Sequence, residues 1–418
     1  MAIILTAVYI INCFTPLRLT NDTVRYLNIN TWLEDGKPHG APASKDFLPY
    51  GYVWFLFVLS KLHIANSIFI GLFHFLYLMG SLWFIKKLFG NTINFIGLFI
   101  LCLLSWATMK FVITPLSEMQ FLFFSMGALY FFDEFFKQKK PLPLLWAFVF
   151  AGAAMLTRTI GIGLIVAFSI CFVLQQRKIL RSIIATNKVA AIVIVIILIV
   201  SFFVFDQFGI TGYLEATRSS FARLQKDPAG FIVRNGKQHL INWSAFVVNA
   251  PAPRLNMIGS VAFRNTIYLI TGIISFAGVI YLLLRRHGKI NVLVKSYLLV
   301  YMLVILIWPF FEPRFWLPVF PLLIALIMQQ WNTISGLVKQ LLKVYRVYYI
   351  LAGIAALSYY TYTSYNKKAF VLKQDAGKWK NEYSVHFFGK ALTDSPAIRE
   401  PIMRILKKHD ARNGKSDQ

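Results

Sequence analysis

The chain has 418 residues, of which 57% are hydrophobic and 14% are charged. Soluble domains are about 45–50% apolar and about 25% charged, so this composition predicts an integral membrane protein and excludes an ordinary soluble one. Lys and Arg total 43 against 17 Asp and Glu, which gives a formal net charge of +26. In a soluble protein this balance would indicate a nucleic acid partner, but the long apolar runs argue against one here. The 17 carboxylates leave few residues for acid–base or metal chemistry.

Apolar segments along the chain predict an all-α polytopic membrane protein with about 10–12 transmembrane helices and helical outer loops, since a span needs about 20 mainly apolar residues. Several segments are short, and Lys61 and His63 interrupt the second. The first lacks a basic start and a small-residue cleavage site, so we expect it to be retained as a helix. In chain order the segments are residues 2–16, 50–63, 66–85, 92–109, 116–136, 143–157, 159–175, 189–206, 266–284, 292–311, 314–330 and 347–361.

Lys and Arg in short loops indicate the cytoplasmic side. Basic clusters at Lys137, Arg177, Arg285 and Lys339 are therefore predicted to be cytoplasmic. This orientation requires one early segment not to cross fully, and we expect it to be 50–63. Residues 1–361 then form a transmembrane domain and 362–418 a basic extracytoplasmic tail. The other predicted outer parts are the loops 17–49 and 207–264, Pro115–Glu118 and Glu312–Arg314.

The string PLRLTNDTVRYL directly follows the first segment. Asp22 precedes Tyr26 by four residues, so a helical turn places both on one face. A carboxylate just above the bilayer can act as a general base or bind a metal when its pKa and geometry suit. Alternatively, Asp22 caps the next helix, for which it is a good residue type. The same loop carries three further carboxylates: Glu34, Asp35 and Asp46.

Two further strings place charges between apolar segments, where ionisable groups are functional candidates by default. In TPLSEMQFLFF, Pro115 is suited to open a helix, and Glu118 falls in its first turn; helix capping is the alternative role. In GAAMLTRTIGIGL, Arg158 stands alone, so it should meet either a phosphate or an acid inside the bundle.

Basic residues near the predicted outer face are candidates for binding phosphate. In PFFEPRFWLPVFPLL, prolines interrupt a helix and leave Glu312 and Arg314 at its outer end, where Arg314 is placed for bidentate contact with phosphate. The loop 207–264 carries an excess of Lys and Arg, including Arg218 and Arg223. This excess predicts an anionic ligand or lipid headgroup; the alternative is a solvated folded loop, since loops near this length escape the positive-inside rule.

Taken in chain order with LPYGYVWFLFVLSKL, these strings resemble the GT-C superfamily of glycosyltransferases over most of residues 1–330. Its members are polytopic enzymes that transfer a sugar from a polyprenyl-phosphate carrier on the non-cytoplasmic face. The resemblance implies a GT-C-like fold and an inverting transfer to a lipid or glycan acceptor. No nucleotide-binding Gly-rich loop is visible in the sequence, which agrees with a lipid-linked donor.

The resemblance also implies roles for individual residues. Asp22 matches the first-loop Asp that acts as the catalytic base or positions the acceptor, and Glu118 matches a second, assisting acid. The implied phosphate ligands are Arg158, Arg314, Arg218 and Arg223. Tyr26, Glu34, Asp35 and Glu312 are candidates for orienting the acceptor. The double-acid metal motif of oligosaccharyltransferases is missing, so no metal is predicted and a divalent cofactor has no support.

Two other functional classes use the same features. A transporter or flippase of an anionic, lipid-linked substrate would also need basic outer loops, but the internal symmetry that favours transport is not found. A membrane scaffold would leave Asp22, Glu118 and Arg158 as caps and packing residues. A sequon at Asn21 would overlap the proposed base in a eukaryotic lumen, so a bacterial inner membrane is predicted. The predicted partners are a polyprenyl-phosphate-linked sugar, a lipid or glycan acceptor and membrane lipids, without nucleic acid.

Overall fold

The computed structural model describes most of the chain. Over the described residues the secondary structure is helical and contains no β-strand, which confirms the all-α prediction. The predicted span 189–206 and Arg223 lie outside the described residues. The described ranges are 1–38, 43, 46, 48–175, 218, 222, 224–251, 260–285, 291–331, 336–392 and 398–411.

Helices follow one another through the first described stretch of the chain. They are α1 (Ala2–Cys13), α2 (Asn21–Glu34), α3 (Tyr50–Lys61), α4 (Ser67–Phe89), α5 (Phe95–Leu103), α6 (Trp106–Val112), α7 (Glu118–Gln138), α8 (Pro141–Thr157) and α9 (Ile162–Gln175). Helix α7 packs along α8 and α4, and α3 contacts both α2 and α8. This packing brings α2 close to the end of α8.

The later part of the described chain adds helices that complete the bundle and form the tail. They are α10 (Pro228–Val247), α11 (Val261–Leu284), α12 (Val292–Ile307), α13 (Phe320–Gln330), α14 (Gly336–Tyr365), α15 (Lys367–Lys373), α16 (Lys380–Phe388) and α17 (Glu400–His409). Helix α10 pairs with α11 and contacts α12 and the short 3-10 turn Pro313–Trp316. Helices α10 and α11 thus occupy part of the stretch predicted as the outer loop 207–264.

Three helices among the described residues are long and apolar enough to cross a membrane: Ser67–Thr92, Val261–Leu284 and Gly336–Tyr365. Helices α5 and α6, which meet at 75°, make a fourth if together they form one span. These helices agree with a membrane protein. Among the described residues, however, only three or four helices are long enough to span a membrane, against a predicted count of about 10–12. Five further apolar helices are shorter: Ala2–Cys13, Pro141–Thr157, Thr159–Leu174, Val292–Ile307 and Phe320–Gln330.

Two predicted segments are shorter as helices than their apolar runs. Helix α3 has 12 residues, about 18 Å at 1.5 Å per residue, so it is too short to cross a bilayer core of about 30 Å. The stretch 314–330 begins as a 3-10 turn and becomes α-helical only at Phe320. Pro318 lies in the break, since proline lacks the backbone N–H that a helix interior needs.

Candidate active site

A cleft of about 190 Å³ lies where α2, the end of α8 and the turn after α12 meet. Both charged and apolar residues line it. The charged residues are Asp22, Arg25, Arg158, Glu312 and Arg314. The apolar residues are Leu48, Pro49, Ile160, Ile305, Trp308, Phe310 and Phe315. The cleft therefore offers ionic groups and hydrocarbon surface side by side.

Asp22 lies in the first turn of α2 and binds two guanidinium groups. Its Oδ2 accepts a hydrogen bond from Nη2 of Arg314 at 2.5 Å, and its Oδ1 accepts from Nη1 of Arg25 at 3.2 Å. The helix is capped instead by Thr20, whose hydroxyl accepts from the backbone N–H of Thr23 at 3.2 Å. The alternative that Asp22 is the cap is therefore wrong.

Burial and neighbouring positive charge shift the pKa of Asp22 in opposite directions. Burial raises the pKa of a carboxyl group, but the charge and hydrogen bond of Arg314, with the charges of Arg25 and Arg158, outweigh it. The pKa of Asp22 therefore lies below its ordinary value. At neutral pH the carboxylate is ionised and can accept a hydrogen bond from an incoming hydroxyl group.

Glu118 lies beneath the cleft and joins its two buried arginines. The side chain is fully buried, and Oε1 accepts a hydrogen bond from Nη1 of Arg158. Nη1 of Arg314 lies 3.6 Å from the same oxygen. Arg158 thus meets an acid inside the bundle, one of the two alternatives that the sequence left open. Glu118 is the first residue of α7, but its carboxylate faces the arginines rather than capping the helix.

Two glycines allow the backbone to hold Arg158 at this place. Arg158 ends α8, and the chain turns at once through Thr159–Gly161 into α9. A Cβ atom on Gly161 would lie 2.7 Å from the backbone nitrogen of Met155, and a Cβ on Gly51 would lie 2.6 Å from the backbone of Leu156. Any larger residue at either position would push α8 away and move Arg158.

Sequence reasoning missed two residues of the site. Phe315 places its ring 5.2 Å from the guanidinium carbon of Arg158 and 5.4 Å from that of Arg314, within range of cation–π attraction. Arg25 binds Asp46 at 2.6 and 2.9 Å through two nitrogens and also contacts Asp22. The spacing of three residues between Asp22 and Arg25 on a helix was a signal for that contact.

Tyr26 and Glu312, two of the residues predicted to orient the acceptor, line the cleft. Tyr26 lines it and donates a hydrogen bond from its hydroxyl to Oγ of Ser117 at 3.1 Å, next to Glu118. Glu312 contacts Arg314, with its Oε2 2.7 Å from Nε. The structure therefore brings six of the ten predicted site residues together: Asp22, Tyr26, Glu118, Arg158, Glu312 and Arg314.

The other four predicted site residues do not join the cleft. Glu34 lies about 18 Å from Asp22 along α2, from 1.5 Å per residue, and it contacts Asn30 and Lys408. Asp35 is exposed after the end of α2, and Arg218 is exposed and does not line the cleft. Glu34 and Asp35 lie at the C-terminal end of the 14-residue helix α2, whereas the cleft lies at its N-terminal end. Arg223 lies outside the described residues.

Within the described ranges, no group of three or more His, Cys, Asp or Glu is arranged to hold a metal ion. A scan against protein-family models finds no match, and searches of the curated proteins and of the solved structures find no similar chain. An ionised carboxylate beside two buried guanidiniums can bind a hydroxyl group and a phosphate next to each other.

Proposed function

We propose that this chain is a glycosyltransferase with a GT-C-like fold that moves a sugar from a polyprenyl-phosphate carrier to a lipid or glycan acceptor. The mixed lining of the cleft carries the proposal, since Arg158 and Arg314 line it together with apolar side chains such as Ile305, Trp308 and Phe310. A polyprenyl phosphate combines the same two chemistries, with an anionic head and a long hydrocarbon tail. The proposal includes the outer face of a bacterial inner membrane and about 10–12 transmembrane segments.

In the proposed reaction, a hydroxyl group of the acceptor donates a hydrogen bond to Asp22 and attacks the anomeric carbon. The bond from that carbon to the phosphate oxygen breaks on the opposite side, so the configuration inverts. Asp22 takes the proton of the hydroxyl group, and the departing phosphate keeps the bonding electrons. Arg158 and Arg314 stabilise the charge that develops on the phosphate, the electrostatic role expected at a leaving group.

The decisive experiment replaces Asp22 with Asn in membranes supplied with a labelled polyprenyl-phosphate sugar. Loss of a general base costs about 10²- to 10⁴-fold, so Asp22→Asn should lower sugar transfer by at least about 100-fold. The matched control is Asp35→Asn, which removes the same charge from an exposed position just after α2. It should transfer sugar at the wild-type rate, and all three proteins should be compared at equal membrane content.

The products of the assay separate this function from transport. A flippase would carry the labelled lipid across a vesicle bilayer and leave the sugar–phosphate bond intact, whereas the proposed enzyme releases free polyprenyl phosphate. Full transfer by Asp22→Asn would remove Asp22 from the mechanism. If the wild-type protein carries the labelled lipid across the bilayer without cleaving the sugar–phosphate bond, the protein is a flippase and the proposed function is wrong.

A further inference from the structure

Arg314 contacts three carboxylates that differ sharply in their access to solvent. Oδ2 of Asp22 lies 2.5 Å from Nη2, Oε1 of Glu118 lies 3.6 Å from Nη1, and Oε2 of Glu312 lies 2.7 Å from Nε. The side chain of Glu118 is 0% exposed and that of Asp22 is 20% exposed, whereas that of Glu312 is 53% exposed. Glu312 is therefore the carboxylate of the three that water solvates most readily when it leaves Arg314.

The backbone at Glu312 needs no movement for its side chain to leave. Glu312 has an extended backbone with φ −132° and ψ 139°, the region that a following proline favours, and Pro313 follows it. Its carbonyl also accepts a hydrogen bond from the N–H of Phe315 at 3.2 Å, which ties the turn together. Only side-chain torsions must change, and exposed side chains change rotamer within picoseconds to nanoseconds.

The charge balance of the cluster explains why such a movement is needed. The three guanidiniums of Arg25, Arg158 and Arg314 contact four carboxylates, so the cluster carries one excess negative charge. An incoming phosphate would therefore meet an excess of negative charge. When Glu312 turns into solvent, three guanidiniums match three carboxylates and the Nε edge of Arg314 becomes available. The carboxylates are Asp22, Asp46, Glu118 and Glu312.

We propose that Glu312 is a displaceable placeholder whose carboxylate occupies the position on Arg314 that a substrate phosphate takes. The sequence assigned Glu312 to orienting the acceptor, but its contacts are with Arg314, a predicted phosphate ligand. The placeholder selects for ligands whose anionic group binds Arg314 more strongly than a single carboxylate does. The inference rests on the proposed function for the identity of the ligand as a lipid-linked phosphate.

The test compares wild-type protein and Glu312→Gln in lipid nanodiscs, with three probes. The probes are a short-chain polyprenyl phosphate, inorganic phosphate and the uncharged polyprenol, and the dissociation constants are measured by titration. Gln fills the same space without the competing charge. Removing a partly exposed ion pair that blocks the site should tighten binding of polyprenyl phosphate about threefold to tenfold. Polyprenol should bind equally to both proteins, and Glu400→Gln, at an exposed position in α17, should behave as the wild type.

The probes distinguish the possible outcomes. Tighter binding of polyprenyl phosphate but not of inorganic phosphate supports a lipid-linked ligand, whereas an equal gain for both supports a site for free phosphate. Unchanged or weaker binding by Glu312→Gln overturns the placeholder, even if the wild-type protein transfers sugar. Tighter binding without any sugar transfer keeps the placeholder and removes the proposed function. If neither protein binds either phosphate, both proposals fail.

Discussion

Glu118 is the buried negative charge that contacts both Arg158 and Arg314. Its side chain is fully buried, while those of Arg158 and Arg314 are 15% and 9% exposed. Bringing such charges out of water is costly, and the cost is repaid only while each charge keeps its partner. Removing one partner therefore costs more than removing both.

We expect Glu118→Gln to destabilise the protein by about 3–5 kcal/mol, because the substitution leaves buried guanidiniums with less negative charge. The double variant Glu118→Gln/Arg158→Gln should be more stable than the sum of the two single variants predicts. The measurement is a double-mutant cycle of unfolding free energies in detergent micelles. Additive effects within about 0.5 kcal/mol would show that the two side chains do not interact. Glu134→Gln, at the other end of α7, should change stability by no more than about 1 kcal/mol.

Glu118 and Arg158 were predictable because charges are rare between the apolar segments of this chain. An isolated charge there is expensive, so both residues had to find partners. Which partner each one takes was not predictable. The contact of Asp22 with Arg314 joins residues 292 positions apart, and it depends on how the turn at Pro313 packs against α2.

Helix α2, which carries Asp22 and Arg25, is held at both ends by the C-terminal tail. At its start, the hydroxyl of Tyr383 donates to the carbonyl of Leu17 at 2.8 Å and accepts from the N–H of Leu19 at 3.0 Å. At its end, Lys408 of α17 contacts Glu34. The sequence predicted a basic extracytoplasmic tail but not its contacts with the rest of the chain, and these contacts make the tail a support for the helix of the cleft.

Tyr383→Phe should therefore lower both stability and sugar transfer. The variant keeps the ring but removes both hydrogen bonds of a fully buried hydroxyl, which costs about 1–3 kcal/mol for the groups left without partners. The unfolding free energy and the kcat of sugar transfer are the measurements. Tyr365→Phe is the matched control, because its exposed hydroxyl donates to the carbonyl of Ile11 at 2.7 Å, away from α2. Equal losses in the two variants would contradict a special role for Tyr383.

The bend between α5 and α6 shows why some helix boundaries escape prediction. The stretch 92–109 reads as one continuous apolar span, without proline at the break. The backbone N–H of Trp106 bonds instead to Oδ1 of Asn249 at 3.0 Å, and its indole N–H donates to the carbonyl of Ala245 at 2.8 Å. Partners this distant in sequence satisfy the freed backbone group, so no local signal marks the bend.

At the scale of the whole molecule, charged residues lie at both ends of α7. Glu118 and Lys137 lie at opposite ends of α7, about 28 Å apart at 1.5 Å per residue. That distance is close to the thickness of a bilayer core, about 30 Å. The segment α2, the turn Pro313–Trp316 and the tail all lie with the Glu118 end. That the loop 17–49, the turn and the tail lie on one face of a membrane stays a prediction.

Docking of the tail should weaken as the pH falls through the ordinary range of histidine. The Nδ1–H of His409 donates to the carbonyl of Ala65 at 2.6 Å, and burial lowers the pKa of His409 more than this bond raises it. The docked tail therefore holds a neutral imidazole, and docking is strongest above the ordinary pKa of about 6.5. Below that value the undocked form takes up the proton first, so docking weakens until the pH reaches the lowered pKa.

A spin label on Arg404→Cys, at an exposed position of α17, measures the docked fraction, since the three native cysteines are buried. The mobile fraction should rise as the pH is lowered from about 7.5 to about 5.5, a range that brackets the ordinary histidine pKa of about 6.5. His409→Gln keeps a donor for Ala65 but cannot titrate, so its mobile fraction should not rise. A rise of equal size in His409→Gln would assign the pH dependence to another group.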